Sequence, residues 1–417
     1  MSLPAWRLLL RRTARRIWFR SVVFSLVAVL LAVAARYLAP WLPEHFEGNI
    51  GQDSVGGILQ ILASSMLAVT TFSLTAMVSA YSSATTLATP RATQLLIQDP
   101  TSQNALSTFL GAFLFSIVGI IALSTGFYGD RGRVILFVGT LAVVALIVFT
   151  LLRWIAHLTA FGRMSDVIDR VERAAVASVR EWREAPHLGG QPAVPVPSGT
   201  WAAFGERTGY ATHVDVGALQ RIAEQSGLRV HVAVLPGALV HPQRPLLWAQ
   251  GQVDDECRAA LARAFTVERH RSFDHDPRLG LVALAEIGSR ALSAAVNDAG
   301  TAIEVIDAQH RVFRAWFECS EQASPAAAEC DRVFVPLPVI ADLLEDAFRP
   351  LARDGTGAIE ISIRLQKTLA ALAEAAPAHA EAIEAMARQA FDRASAAIAS
   401  DADRDALTQA TQGRFLQ

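Results

Sequence analysis

The sequence predicts a membrane α-helical bundle of four transmembrane helices with a C-terminal cytoplasmic α+β domain, mostly helical after residue 276. Three observations predict it. Ser54 to Pro90 is a run of 37 residues without Asp, Glu, Lys or Arg, longer than the ~20 residues a helix needs to cross a bilayer. Nearly all the long apolar runs fall in the first 160 of 417 residues, and the rest has the charge of a soluble domain. Six arginines (Arg7, Arg11, Arg12, Arg15, Arg16 and Arg20) crowd the first 20 residues with no acid among them, the mark of a cytoplasmic flank.

The transmembrane domain is read as 1–160, with helices at about 18–42, 56–83, 106–127 and 134–156. Trp6 and Trp18 lie within the basic arm and suit the headgroup level. Ser21 to Ala35 is uncharged for only 15 residues. It becomes long enough to span when extended to Leu42, with Arg36 reaching back to the interface. A cleaved signal peptide is the rival, since small residues follow at Ala32, Ala34 and Ala35. The loop 43–53 carries Glu44, Glu47 and Asp53 and no Lys or Arg, which keeps the arm on the cytoplasmic side. Pro90 breaks the second helix, and Asp99-Pro100 precedes the third. Arg131 and Arg133 in the short loop before the fourth helix oppose this orientation, against six arginines in the arm. Four crossings return the chain to the cytoplasm.

Residues 161–198 are read as an amphipathic helix and a Pro/Gly linker. Met164, Val167, Ile168, Val171, Ala175, Val179 and Trp182 share one helical face, which suits either a coiled coil or a helix packed on its own soluble domain. Residues 199–272 read as a small α/β domain. Leu228–Val234 alternates as a half-buried strand, Val214–Gln225 and Val253–Phe265 read as helices, and 235–247 reads as strand–turn–strand in a small barrel. Residues 273–417 read as a helical domain, with helices at Arg278–Ala294, Gly300–Cys319, Leu337–Leu351, Gly357–Ala375, Ala378–Ser400 and Ala402–Gln412. Arg332–Val335 is the one candidate strand there.

The second span carries the first candidate chemistry. Ser64, Thr71, Thr75, Ser79 and Ser82 are spaced 7, 4, 4 and 3 apart, one stripe on a helix of 3.6 residues per turn. Leu62, Met66, Val69, Phe72, Leu74, Met77 and Val78 are expected to form an apolar counterface. Polar side chains in a membrane face a bundle interior or water, so several copies of this helix would line a pore, with Arg91 at its inner mouth attracting anions. The alternative is plain packing, because Ser and Thr let membrane helices approach closely and bond their own backbone.

Arg290, Ser293, Asn297, Asp298 and Thr301 are the second candidate, a polar pocket for a small anion at a helix N-terminus. Ordinary capping by Asn297 or Asp298 explains the same residues. His270, Asp274, His275 and Asp276 lack metal-ligand spacing, and no metal or other cofactor is expected. Cys257, Cys319 and Cys330 form no C-x-x-C pair and read as free or buried thiols. A net charge of −2 gives no reason to expect nucleic acid. No G-x-S-x-G, H-E-x-x-H, P-loop or G-x-G-x-x-G occurs, which argues against familiar enzyme classes.

Several of these segments resemble a family of bacterial membrane proteins known as domain of unknown function 2254. Ser82–Arg91, with T-P-R before an apolar helix, is similar to its S-P-R segment. Gly209–Asp215 (G-Y-A-T-H-V-D) resembles G-Y-V-Q-x-I-D, and Asp276–Gly280 resembles D-x-x-F-G. Ala291–Ala302 (A-L-S-A-A-V-N-D-A-G-T-A) resembles A-L-S-P-A-I-N-D-P-F-T-A. Together these cover about residues 20–350. The chain departs at Ala294 and Ala299, where the family has proline, and at Leu279 and Gly300, where it has Phe. The resemblance implies a membrane location and this architecture, and no activity.

The expected function is a homo-oligomeric ion channel or pore of the bacterial inner membrane. The second helix would line it and the cytoplasmic domain would modulate it, with membrane lipid, ions or a small anion as partners and no enzymatic role. The alternative is a membrane-anchored sensor or scaffold that binds a ligand or protein through the cytoplasmic domain.

Overall fold

Long apolar helices build the first unit of the computed structural model, which describes residues 52–411 apart from 88, 98, 128–129 and 319–329, with scattered positions between 19 and 34. The chain divides into two units. Among the described residues, one holds those up to Thr86 and Thr93–Asp166; the other holds Leu87–Ala92 and those from Val167 onward.

Along the chain α1 (Gln52–Leu87) is followed by α2 (Pro90–Ile97), α3 (Pro100–Ser124) and α4 (Asp130–Ala160); α1 up to Thr86, α3 and α4 belong to the first unit, and Pro90–Ala92 of α2 to the second. Pro90 and Pro100 both stand at the first position of a helix, where a missing N–H costs nothing. Three segments among the described residues are long and apolar enough to cross a membrane: Ser54–Thr85, Pro100–Ser124 and Gly132–Thr159. The fourth expected span, 18–42, falls largely outside the described residues, although the described positions from Phe19 to Ala34 are helical.

The three helices differ in burial. α3 is the inner one, with 56% of its most apolar window buried against 28% for α1 and 17% for α4. Hydropathy cannot rank them, because lipid and protein interior are equally apolar. Val55 and Leu59 of α1 pack with Phe115 and Leu123 of α3 and Leu136 of α4. Gly119 leaves α3 open to Leu59, whose Cδ1 would stand 2.9 Å from a Cβ there. Trp154 on α4 is 2% exposed and donates from Nε1 to Ser73 Oγ of α1 at 3.0 Å, which satisfies two polar groups in an apolar interior.

In the second unit α5 (Met164–Glu184) buries Val167, Ile168, Val171, Ala175, Val179 and Trp182. Trp182 Nε1 donates to the His275 carbonyl at 2.9 Å, and Glu172 holds Arg311 by two bonds of 2.7 Å. The apolar face of α5 is thus buried within its own unit rather than in a coiled coil.

The strands are β1 (Gln191–Pro192), β2 (Trp201–Phe204), β3 (Gly209–Val214), β4 (Arg229–Val232), β5 (Leu239–Val240), β6 (Pro245–Gln250), β7 (Phe265–Glu268) and β8 (Val333–Val335). One sheet has the order β1-β8-β4-β6-β2, and a second has β5-β3-β7. The expected strand–turn–strand over 235–247 is therefore not a hairpin. β5 joins Gly209 and Tyr210 of β3, while β6 lies between β2 and β4. The strand read at 332–335 is not peripheral either: β8 joins β1 and β4, parallel to both. Helices α6 (Val216–Ser226) and α7 (Asp255–Arg263) add Leu219, Ala223 and Leu261 to a core with Val230, Leu247 and Val333.

The remaining helices are α8 (Pro277–Ala291), α9 (Ala299–Phe317), α10 (Ile340–Asp354), α11 (Ile359–Ala375), α12 (Ala380–Ala397) and α13 (Asp401–Thr411). Two buried glutamines tie this layer across its helices: Gln309 Nε2 donates to the Ala347 carbonyl at 3.0 Å, and Gln366 Nε2 to that of Ala387 at 3.0 Å. Phe313 stacks on Phe348 with ring centroids 5.5 Å apart.

Candidate functional site

The hydroxyl stripe of α1 lies on the outside of the first unit. Ser64, Thr71, Thr75, Ser79 and Ser82 are all exposed, opposite the buried Val55, Leu59, Leu62, Met66, Ser73 and Met77. Three of the hydroxyls bond backward along their own helix. Ser64 Oγ donates to the Gln60 carbonyl at 3.1 Å, Thr71 to Leu67 at 2.9 Å and Thr75 to Thr71 at 3.0 Å. The apolar counterface is narrower than expected. Phe72, Leu74 and Val78 are 69%, 52% and 56% exposed and flank the stripe, because helical geometry turns only positions near 180° from it toward α3 and α4. Arg91 on α2 pairs with Glu286 on α8.

A buried polar cluster near Asp99 had drawn no functional reading from the sequence. Asp99 caps α3, accepting from Ser102 N at 2.7 Å and Ser102 Oγ at 2.6 Å. Its Oδ2 also meets His157 Nε2 of α4 at 3.0 Å. Ser102 Oγ lies 3.4 Å from the same nitrogen. Serine and aspartate thus share one edge of the imidazole, so the trio lacks the relay order of a hydrolase triad, which needs one partner on each nitrogen. The available signal was an Asp-Pro-Thr-Ser capping pattern between two uncharged runs and a single histidine near the end of a third.

Arg290, Ser293, Asn297, Asp298 and Thr301 come together in the turn between α8 and α9. Ser293 Oγ donates to the Arg290 carbonyl at 2.7 Å, and Asn297 N to the Ser293 carbonyl at 2.8 Å. Asn297 sits at φ +51, a left-handed position that asparagine tolerates better than most residues. Asp298 caps α9, accepting from Thr301 N at 3.0 Å and Thr301 Oγ1 at 2.6 Å. Those bonds, led by the threonine hydroxyl, hold its carboxyl below the usual range. The turn is exposed at Asn297 and Asp298, and its helix terminus is already capped by its own carboxylate.

Two other segments singled out in the sequence meet in the second unit. Asp276 is 1% exposed and accepts from Arg271 Nε and Nη2 at 2.8 and 3.0 Å, and from the backbone N–H of Arg278 and Leu279. Gly237 lies against this carboxylate. His213 of β3 and His275 have ring centroids 5.2 Å apart, and His275 Nδ1 meets Glu181 of α5 at 2.9 Å. Gly280, one turn into α8, touches Ala175 of α5. Asp276–Gly280 is thus a joint between α5, the strands and α8. Among the described residues no group of three or more His, Cys, Asp or Glu is placed to hold a metal ion. An open groove of about 560 Å³ lies between α9 and α11, lined by His310, Arg311, Arg314, Ala371, Glu374 and Ala375. Burial, then Arg314, lowers the affinity of His310 for a proton.

A family model described as "Predicted membrane protein (DUF2254)" matches residues 14–371. The chain is 24% identical over 348 residues to uncharacterized protein Mb1321c of Mycobacterium bovis and to uncharacterized protein Rv1290c of Mycobacterium tuberculosis. Each match covers 79% of this chain and 65% of the relative, so the chain spans less than two thirds of the length of these relatives. No solved structure matches.

Proposed function

Because this chain belongs to the DUF2254 family of predicted membrane proteins, we propose that it is a multi-pass inner-membrane protein forming a homo-oligomeric channel or pore lined by α1. The soluble unit modulates that pore from the cytoplasm. The observation that carries this reading is the outward placement of Ser64, Thr71, Thr75, Ser79 and Ser82. A hydroxyl face that packs inside its own subunit has no further partner to seek; one on the outside meets either lipid or a second copy. Several copies arranged around an axis would wet it. The arginines of the N-terminal arm support a cytoplasmic flank, and on this reading a fourth crossing within residues 18–42 would return the chain to the same side. Lipid and conducted ions or small anions are the partners, and no enzymatic activity is assigned.

Single cysteines at 64, 71, 75 and 79, in protein reconstituted as a defined oligomer, test this reading. A membrane-impermeant thiol reagent is expected to modify them and to reduce ion flux from the liposomes. Cysteines that never react, together with no flux across a range of voltages and ions, overturn it.

A second reading, a membrane-anchored sensor, is favoured by the groove between α9 and α11. Arg311 lines it and is also the partner of Glu172 on α5, so a ligand there would compete for a contact on the helix that follows the last span. A metabolite screen against the full-length protein, read by thermal stabilisation and repeated with Arg314→Ala, tests it. The absence of any binder sensitive to that substitution counts against the sensor.

A further inference from the structure

The five-stranded sheet carries a row of side chains that neither functional reading uses. Val230, Leu247 and Val333 turn to the core under α6 and α7, so alternation puts His231, Trp248 and Phe334 on the opposite face. Cross-strand register lines the row up from edge to edge. Gln191 stands beside Phe334, Phe334 beside His231, His231 beside Trp248, and Trp248 beside Ala202. His231 is 4% exposed, whereas its neighbours in the row are only half-buried. Neither of its ring nitrogens has a hydrogen-bond partner, and buried polar atoms are seldom left so.

The chain itself supplies a cover. Residues 193–200 connect β1 at one edge of the sheet to β2 at the other, and so join the two ends of the row. Five strands span about 19 Å. The nine peptide units from Pro192 to Trp201 reach about 30 Å, which leaves little for a detour. Pro192, Pro195 and Pro197 stiffen the segment, and no Asp, Glu, Lys or Arg occurs from Ala185 to Gly205. Left-handed backbone bounds it on both sides: His187, Leu188 and Gly189 at φ +55, +56 and +84 before it, and Gly199 at +84 near its close. Residues other than glycine seldom hold such angles, and strained positions of this kind gather at switch regions.

We propose that residues 193–200 form a strap seated on Phe334, His231 and Trp248, and that a proton taken up by His231 releases it. A neutral imidazole can lie stacked on Phe334 in an apolar setting. A protonated one carries a charge and two N–H donors, which reach water only once the strap lifts. Burial, then Arg229, lowers the proton affinity of His231 from the ordinary 6.5. The closed strap is therefore favoured above that value and loses its advantage as the pH falls below it. The charged or titratable groups on the surrounding elements are Arg229 on β4, Arg332 ahead of β8, Arg244 ahead of β6, His187 ahead of β1, and Glu206 and Arg207 after β2. Only one of them is an acid. The inference is independent of the pore and sensor readings.

The test uses the full chain in phosphatidylcholine nanodiscs, with a nitroxide on Val196→Cys and with Cys257, Cys319 and Cys330 changed to Ala. The label is expected to be restrained at about pH 7.5 and to become severalfold more mobile, reversibly, at about pH 5. With His231→Phe added, it stays restrained at both. A label whose mobility ignores pH, or a change that survives His231→Phe, overturns the proposal. If the cysteine-free chain does not fold, acrylamide quenching of Trp248, isolated by subtracting the emission of Trp248→Phe, reads the same cover. Quenching is expected to rise on acidification, and not when His231→Phe is present. Quenching unmoved by acid, or raised in His231→Phe as well, overturns the proposal equally.

Discussion

Asp276 shows how much one side chain can organise. Its carboxylate satisfies a guanidinium and two backbone donors at once. Asp276→Ala leaves Arg271, with 19% of its side chain exposed, without its partner, and uncaps α8. Removing one member of a buried pair costs about 3–5 kcal/mol, so chemical denaturation is expected to show the second unit near collapse. His231 makes a pH-dependent contribution. It is 4% exposed and stacks on Phe334 at 4.9 Å. Burial, with help from Arg229, lowers its proton affinity from the ordinary 6.5. The unfolded chain therefore binds the proton first as pH falls. The stabilising effect of the neutral ring is complete above the unfolded value and is lost progressively below it. His231→Phe is expected to flatten the dependence of melting temperature on pH between about 6.5 and 5, leaving the slope that His310 contributes in the same direction.

At the scale of elements, the α8–α9 turn separates what a sequence can tell from what it cannot. Asp298 as an N-cap was legible from residue type and position alone. The three residues of this turn where the chain departs from the family pattern have local explanations. Ala299 is the first residue of α9, a site where proline is well accommodated. Gly300 is exposed, and a Cβ there would meet only Asp298 Oδ1 at 3.3 Å, so a larger residue has room. Ala294 is exposed as well. Ala299→Pro is accordingly expected to raise stability by about 0.4–1 kcal/mol, read from the melting temperature. Gly280 behaves differently because it sits against Ala175 of α5. Gly280→Val is expected to cost about 1–3 kcal/mol and to speed hydrogen exchange along α5. Long helices and their ends were readable because periodicity, Pro and capping residues are local signals. β1, β2, β3 and β7 were not, since strands of two to six residues carry little periodicity and take their identity from distant partners. The Asp99–His157 contact was hidden for the same reason: 58 positions separate its halves, and only the packing of α3 on α4 brings them together.

For the molecule as a whole, burial among the spans matters more than their hydropathy. α3 carries most of the packing, while α1 and α4 leave large apolar side chains such as Ile61, Phe72, Phe149 and Leu152 more than 60% exposed. Such surfaces demand a hydrocarbon or protein neighbour. The length of α1 adds a constraint. Its 36 residues extend about 54 Å at 1.5 Å per residue, against a hydrocarbon core of about 30 Å. A helix so much longer than its solvent must lean, emerge at one face, or thicken the lipid around it, each at a fraction of a kcal/mol per ångström. Acyl-chain length thereby becomes a variable of its conformation. Reconstituted in a graded series of lipids, the protein should melt higher in thicker bilayers, and tilt measured by oriented circular dichroism should relax in step.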